Sequence, residues 1–345
     1  MTAELQRFRE LIAVIAEGAP LSFEQAREAF AIMMSGDATP AQVGAFLMGL
    51  RVRGETVEEI RAGASELRAR MRRVRAPRGA IDTCGTGGDG AGTYNISTAA
   101  ALVIAACGVP VAKHGNRGLS SRSGSSDVLA ALGVDIDAPF ECIEQALEEV
   151  GIGFMMAPRH HGAMRHVAGP RGELGTRTIF NLLGPLANPA GVRRQVMGVF
   201  AAHWIEPLAA VLGGLGAERA WVVHGADGLD ELSITGPTAV AEWTGSGVRS
   251  FEVTPEDADL PRGRLEDLKG GDPAHNAEAI RAVLAGVRGP FRDAVLLSAA
   301  AALLVADRVS DLAAGARIAA EAIDSGRAEQ VLQRLVRITT AEDRA

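Results

Sequence analysis

Aromatic residues are scarce. They make up 4% of the 345-residue chain, and only one is a tyrosine. A core built from this sequence is therefore aliphatic and alanine-rich, and the 47% hydrophobic content suffices for a large one. Cysteine is nearly absent. Cys84, Cys107 and Cys142 lie far apart and form no C-x-x-C pair, which excludes a disulfide framework and a structural zinc site. Positive charge is short as well: 35 Lys and Arg stand against 42 Asp and Glu, for a net charge of −7. That balance argues against broad binding to nucleic acid or an anionic membrane, since phosphate polymers need positive surface. No apolar run reaches the length of a bilayer, the longest being 294–306. Residues 1–9 hold no apolar signal core. The expected compartment is a reducing cytoplasm.

Glycine, by contrast, is abundant and concentrated. Five of the eight residues from Gly85 to Gly92 are glycine. Each costs roughly 0.5–1 kcal/mol in a helix or strand interior, so the cluster signals a special backbone path. Residues 79–83 read as a short strand and 97–107 as a buried, alanine-rich helix. Strand, glycine loop, helix aims backbone N–H groups and a helix N-terminus at an anion, usually phosphate. Gly85, Gly87 and Gly90 also match G-x-G-x-x-G. Against a dinucleotide, the helix starts late and the next strand, 109–114, ends in Lys113 and His114 rather than an acid. Cys84 beside the loop reads as a small buried residue ending a strand rather than a nucleophile.

Residues 3–75 read as helices only. Leu5, Phe8, Leu11, Ile12 and Ile15 share a helical face, and Ser22, Thr39-Pro40 and Thr56-Val-Glu-Glu59 open three more helices. The Arg-rich stretch 68–78 reads as a solvated linker. From Gly79 short apolar runs alternate with helices. Strands are expected at 80–83, 110–113, 153–157, 195–199, 219–224, 235–242 and 249–253. Helices are expected near 97–107, 125–132, 140–149 and 203–215, and again from 276 to about 336. This alternation implies an α/β fold with a mainly parallel central sheet flanked by helices. The chain divides into a small N-terminal all-helical domain, 1–75, and a larger α/β domain, 79–345, joined by a segment near 170–190.

Two further segments carry chemistry. Lys113-His-Gly-Asn-Arg-Gly-Leu-Ser-Ser-Arg-Ser-Gly-Ser-Ser126 offers cations, hydroxyls and glycines after a strand, which suits a polyphosphate. His224-Gly-Ala-Asp-Gly-Leu-Asp-Glu-Leu-Ser233 presents Asp227, Asp230 and Glu231, and such carboxylates can hold Mg²⁺ beside a substrate phosphate. His160-His161 has no carboxylate at metalloprotease spacing, and a metal there is not expected. Arg171 and Arg177 suit a carboxylate partner or an inter-domain ion pair alike.

These segments, in this order, resemble the anthranilate phosphoribosyltransferase family of tryptophan biosynthesis, in the nucleoside-phosphorylase-like class. Cys84–Thr98 is similar to its first substrate loop and Lys113–Ser121 to its second. Gly225–Glu231 is similar to its metal loop, and Arg177–Pro189 to its R-T-x-F-N-x-L-G-P-L-x-N-P signature. Weaker similarity runs from the N-terminal helices to Gly326. The resemblance implies a helical domain packed against the α/β domain and a homodimer formed through the helical domain. It implies that phosphoribosyl pyrophosphate (PRPP) is held by Gly85, Gly88, Asp89, Thr93, Asn95, Ile96, Ser97 and Thr98. Lys113, His114, Gly115, Asn116, Arg117, Gly118, Leu119, Ser120, Ser121 and Ser125 would complete that site. Anthranilate would meet Gly85, Asn116 and Arg171, and Ser97, Asp230 and Glu231 would bind two Mg²⁺ ions. No catalytic general base is implied, because an aromatic amine is nucleophilic when neutral. The implied products are N-(5-phosphoribosyl)anthranilate and pyrophosphate. A pyrimidine-nucleoside phosphorylase of the same fold would not need the Asp230-Glu231 pair, and a nucleic-acid-binding relative would lack it. Two departures stand out: Ser298 where the family usually has asparagine, at a distal contact, and Tyr94 where it often has phenylalanine.

Overall fold

A computed structural model describes residues 3–118 and 122–340. Four helices come first: α1 (Ala3–Ala16), α2 (Phe23–Ser35), α3 (Pro40–Arg53) and α4 (Val57–Arg70). Ser22, Thr39 and Thr56 start the last three with complete capping boxes, their hydroxyls accepting the N–H of Gln25, Gln42 and Glu59. Phe8, Phe46 and Phe30 join the helices, with successive ring centroids 5.3 and 5.8 Å apart.

The alternating part follows as β1 (Ile81–Gly85), α5 (Ile96–Ala106), β2 (Val111–Gly115), α6 (Ser125–Ala131), α7 (Phe140–Glu149) and β3 (Ile152–Met156). Three helices come next, α8 (Ala157–His160), α9 (Arg165–Leu174) and α10 (Phe180–Leu186). Then come β4 (Arg194–Gly198), α11 (Ile205–Gly214), β5 (Arg219–Gly225), β6 (Thr238–Trp243) and β7 (Val248–Val253). The chain closes with α12 (Pro273–Leu284), α13 (Pro290–Val305), α14 (Leu312–Asp324) and α15 (Arg327–Thr339).

All seven strands form one sheet in the order β3-β2-β1-β4-β5-β6-β7. The first five in that order are mutually parallel, and β6 and β7 are antiparallel additions. Side chains alternate across the sheet, as strand geometry requires. Trp221 and Val223 of β5 enter the core with α5 and α12–α15, while Ala220 and Val222 enter the core with α1–α4 and α9–α11. The N-terminal helices thus pack onto the sheet's second face.

Three expectations need correction. The 68–78 stretch is solvated only in part. The Arg68 guanidinium donates to Leu186 O (2.6 Å) and Leu215 O (3.0 Å), Met71 and Val74 are buried, and the 72 and 74 amides bond His160 O and Pro189 O. Long arginine stems cover apolar surface while their heads find carbonyls, which composition cannot reveal. Residues 157–186, where no helix is expected from the sequence, hold α8, α9 and α10, with Pro170 and Pro185 inside helices. β6 starts at Thr238 rather than 235, because Ser233 and Thr235 are tied into a turn around Asp227.

Candidate active site

From β1 the chain adds β2 and β3 on one side, then returns to add β4 and β5 on the other. The reversal lies between β1 and β4, where Gly85 pairs with Gly198 at the carboxyl ends. Such a switch point opens a crevice where α/β folds bind ligands. The first glycine loop leaves β1 into it. Gly87, Gly88, Gly90 and Gly92 all adopt positive φ, between 65° and 83°, which accounts for the glycine density. Thr86 ties the loop's start to β4, its amide on Gly198 O (2.9 Å) and its hydroxyl accepting the Phe200 amide (3.1 Å). Arg177 donates to Gly88 O and stacks over Phe200 at 4.3 Å, so it spans from the α9–α10 connection to the loop.

The acidic turn after β5 closes over the same strand ends. The Gly87 amide donates to Asp230 Oδ2 (2.7 Å), and the Ser97 amide, at the start of α5, donates to Glu231 Oε1 (3.2 Å). The fit is close. A Cβ on Gly198 would stand 1.6 Å from Asp230 O, and one on Gly85 2.4 Å from Asp230 Oδ2. Asp227 stays apart as organiser of its own turn, accepting from Ser233 Oγ (2.6 Å) and Thr235 Oγ1 (2.8 Å).

Burial, and then repulsion from Glu231 and Asp89, push Asp230 well above the ordinary carboxylate range. Glu231 is raised by burial, with Lys113 and Ser97 partly offsetting it. Lys113 is itself buried and donates to Thr83 O, so one ammonium faces this acidic group. Half-buried, desolvated carboxylates with too little positive charge call for a cation. Among the described residues no group of three His, Cys, Asp or Glu forms a ready ligand set. The site therefore suits Mg²⁺, which takes one or two protein carboxylates and completes its shell with water and substrate oxygens.

The second loop follows β2. Asp127 gathers it, Oδ2 accepting the amides of Gly118 and Gly124 (both 2.9 Å) while Arg117 lies 3.6 Å from Oδ1. Asn116 Oδ1 accepts the Arg117 amide (2.8 Å), and Ser125 Oγ donates to Asn116 O (3.4 Å). Gly115 is closed on Ser125, which leaves no room for a side chain there. Leu119, Ser120 and Ser121 lie outside the described residues. Asn95 ties this loop to the first, its amide donating to Ser123 O (3.1 Å) and accepting from Ser123 Oγ (3.2 Å). Thr93 bridges to Lys269 and Thr98 is buried in α5.

His114 points elsewhere. Alternation along β2 puts its ring on the face opposite Lys113, 5.1 Å from the His161 ring. Burial holds His114 well below the usual histidine range and His161 down to about 4. Both rings are therefore neutral at pH 7, and each has a buried nitrogen without a partner. His160 ends α8 and His161 stands at its C-cap. Arg171, on α9, lies over the Phe180 ring at 5.1 Å, desolvated and with no ion pair among the described residues. Burial raises the Cys84 thiol well above its usual value, which makes it a packing residue.

Sequence reading missed several supports. Buried Asn188 donates to Asp82 Oδ2 (2.7 Å) and Ala112 O (2.8 Å), binding the signature segment to β1 and β2. Its N-P dipeptide marked only a turn. Ser298 is not distal: it is 5% exposed, its Oγ has no partner, and it lines a cavity of about 10 Å³ with Ser97, Thr83 and Glu231.

Known proteins share this arrangement. Residues 78–329 match the α/β domain of a glycosyl transferase family, and residues 9–71 match that family's helical bundle domain. The anthranilate phosphoribosyltransferase of Rhodospirillum rubrum is 65% identical over 331 residues, 96% of this chain and 95% of its own. The crystal structure of the Thermus thermophilus enzyme superposes with a TM-score of 0.90 at 46% identity, covering 95% of this chain and 99% of that one. The Saccharomyces cerevisiae enzyme in complex with PRPP and Mg gives 0.88 at 27% identity over 96% and 97%. A further structure of the yeast enzyme holds 4-fluoroanthranilate.

Proposed function

The chain belongs to the anthranilate phosphoribosyltransferases, and we propose how its own residues divide that family's work. The enzyme transfers the phosphoribosyl group of PRPP to anthranilate, giving N-(5-phosphoribosyl)anthranilate and pyrophosphate in tryptophan biosynthesis. The anomeric C–O bond to pyrophosphate breaks, the aromatic nitrogen bonds that carbon, and the amine proton leaves to solvent.

In our assignment Gly85, Gly88, Asp89, Thr93 and Asn95–Thr98 hold PRPP together with Lys113–Ser121 and Ser125. The observation that carries it is the meeting of Gly87 and Ser97 amides with Asp230 and Glu231 across the β1–β4 switch point. The positive end of the α5 dipole and the glycine loop beside it give a field suited to a diphosphate. Ser97, Asp230 and Glu231 hold the metal, as two Mg²⁺ ions per protomer. Bound there, Mg²⁺ neutralises the diphosphate and stabilises the leaving pyrophosphate. Anthranilate is assigned to Gly85, Asn116 and Arg171, with the Arg171 guanidinium on its carboxylate. Partial desolvation of Arg171 supports that role, since a half-buried cation without an ion pair gains from an anionic partner. With the amine nucleophilic as it stands, rate comes from orientation and electrostatic stabilisation, without a general base.

We also assign the domains as 1–75 and 79–345, with 170–190 joining them. A homodimer through the helical domain fits Val52 of α3, a large apolar side chain that is 81% exposed. Light scattering on Val52→Asp would read a monomer. Both substrates are charged and do not cross membranes unaided, which favours the cytoplasm; no described helix is long and apolar enough to span one. The test of the reaction is anthranilate fluorescence followed with and without PRPP and Mg²⁺. Loss of signal only with both present supports the reading, and thymidine phosphorolysis without Mg²⁺ would replace it.

A further inference from the structure

Asn276 is a polar residue on the apolar face of α12, 1% exposed, beside Ala277, Ile280, Val283 and Leu284. A buried amide is costly unless both ends are bonded. Both are. Its Oδ1 accepts the Gly271 amide (2.8 Å), and its Nδ2 donates to Asn95 Oδ1 (2.9 Å).

The second bond has a consequence for the anion cradle. Asn95 stands at the N-cap of α5, yet its side chain caps nothing there. An asparagine at that position ordinarily turns its oxygen onto the N–H of the second or third helical residue. Here Asn276 Nδ2 and Ser123 Oγ together occupy that oxygen. The Ser97 amide stays with Glu231, so the acidic turn rather than the Asn95 side chain sits on the start of α5 at the strand ends. Residues 268–275, which lead into α12, grip the loop at three more points. Gly270 N donates to Gly92 O (2.9 Å), Tyr94 N donates to Leu268 O (2.9 Å), and His275 stacks on Tyr94 at 5.7 Å. Because Asn95 also holds Ser123, one buried amide controls the relation between both donor loops.

We propose that Asn276 is a positioning residue for PRPP: it diverts the Asn95 side chain from capping α5 and so keeps the two donor loops and the α5 N-terminus set for the diphosphate. The proposal rests on the assignment of Thr93, Asn95–Thr98, residues 113–118 and Ser125 to PRPP.

Asn276→Asp in the full-length protein tests it. The variant is isosteric and still accepts the Gly271 amide, but it cannot donate to Asn95. PRPP binding by calorimetry in saturating Mg²⁺ should weaken by about tenfold or more, with anthranilate KM at saturating PRPP within about twofold. Unchanged PRPP affinity would overturn the proposal, and so would equal rises in both KM values accompanied by a large fall in Tm. Should Asn276→Asp not fold, Ser123→Ala removes the second donor to Asn95 Oδ1; weaker PRPP binding there supports the relay and unchanged binding overturns it. If the unsubstituted protein does not bind PRPP at all, the substrate assignment fails instead, which separates the two ideas.

Discussion

Ser97 and Glu231 lie 134 positions apart in the chain and meet at 3.2 Å, backbone N–H to carboxylate, at the mouth of the β1–β4 crevice. The contact seats an acidic turn on the N-terminus of α5. It also places a carboxylate where a helix N-terminus would otherwise hold an anion alone.

The acidic pair is held in place at an electrostatic cost that a divalent cation relieves. Replacing Asp230 with Asn and Glu231 with Gln should abolish Mg²⁺-stimulated turnover. It should leave the metal-free Tm equal or higher, because like charges in a desolvated site oppose folding. Differential scanning fluorimetry with and without Mg²⁺ plus PRPP reads the stability effect, and the anthranilate fluorescence assay reads turnover. Turnover at the unsubstituted level would remove the metal assignment.

Arg171 offers a different discrimination. Arg171→Ala should raise the anthranilate KM by about tenfold or more while the PRPP KM changes little. Its contact with Phe180 is a single stacking interaction, so the fold should survive. Equal changes in both KM values would identify a structural arginine.

Gly198 sets the height of the acidic turn. Gly198→Ala drives a methyl group into the Asp230 carbonyl, a backbone atom that cannot swing aside. Overpacking of this kind costs roughly 1–3 kcal/mol. Urea unfolding should show the loss, and kcat should fall with it. A variant of full stability and activity would mean that the turn floats free of β4.

The neutral pair His114–His161 makes the fold acid-sensitive. A histidine whose folded pKa is depressed binds fewer protons folded than unfolded, so stability rises with pH through that interval. For His161 it runs from about 4 to the ordinary 6.5. The contribution is complete above 6.5 and lost as pH falls toward 4, on the order of 3 kcal/mol. The stability difference between pH 7 and pH 5, by urea titration, should therefore be smaller in His161→Gln. An unchanged difference would mean that another group carries the acid sensitivity.

Much of this site was legible without coordinates. The glycine spacing, the Lys113–Ser126 run and the Asp230-Glu231 pair each announce chemistry by composition alone, and all three meet at one crevice. Period-2 and helical patterns located every strand to within a few residues. The failures share a cause. Arg68 looks solvated because it is charged, yet its head meets two carbonyls supplied from residues 118 and 147 positions away. Pro170 and Pro185 lie inside helices although local propensity disfavours them there, so packing overrides it. Asn276 sits in an ordinary amphipathic pattern that says nothing of a partner 181 positions distant.

By itself, then, the chain's order of residues determined which groups could bind a magnesium diphosphate, because backbone freedom, hydroxyls and charge are local properties. Tertiary structure alone decided which of them face the crevice. Alternation on β2 sends Lys113 to the carboxylates and His114 to His161, and the return of β4 beside β1 brings the distant acidic turn onto Gly85 and Gly198. Those outcomes depend on strand order and close packing, which are set by long-range burial rather than by any neighbouring residue.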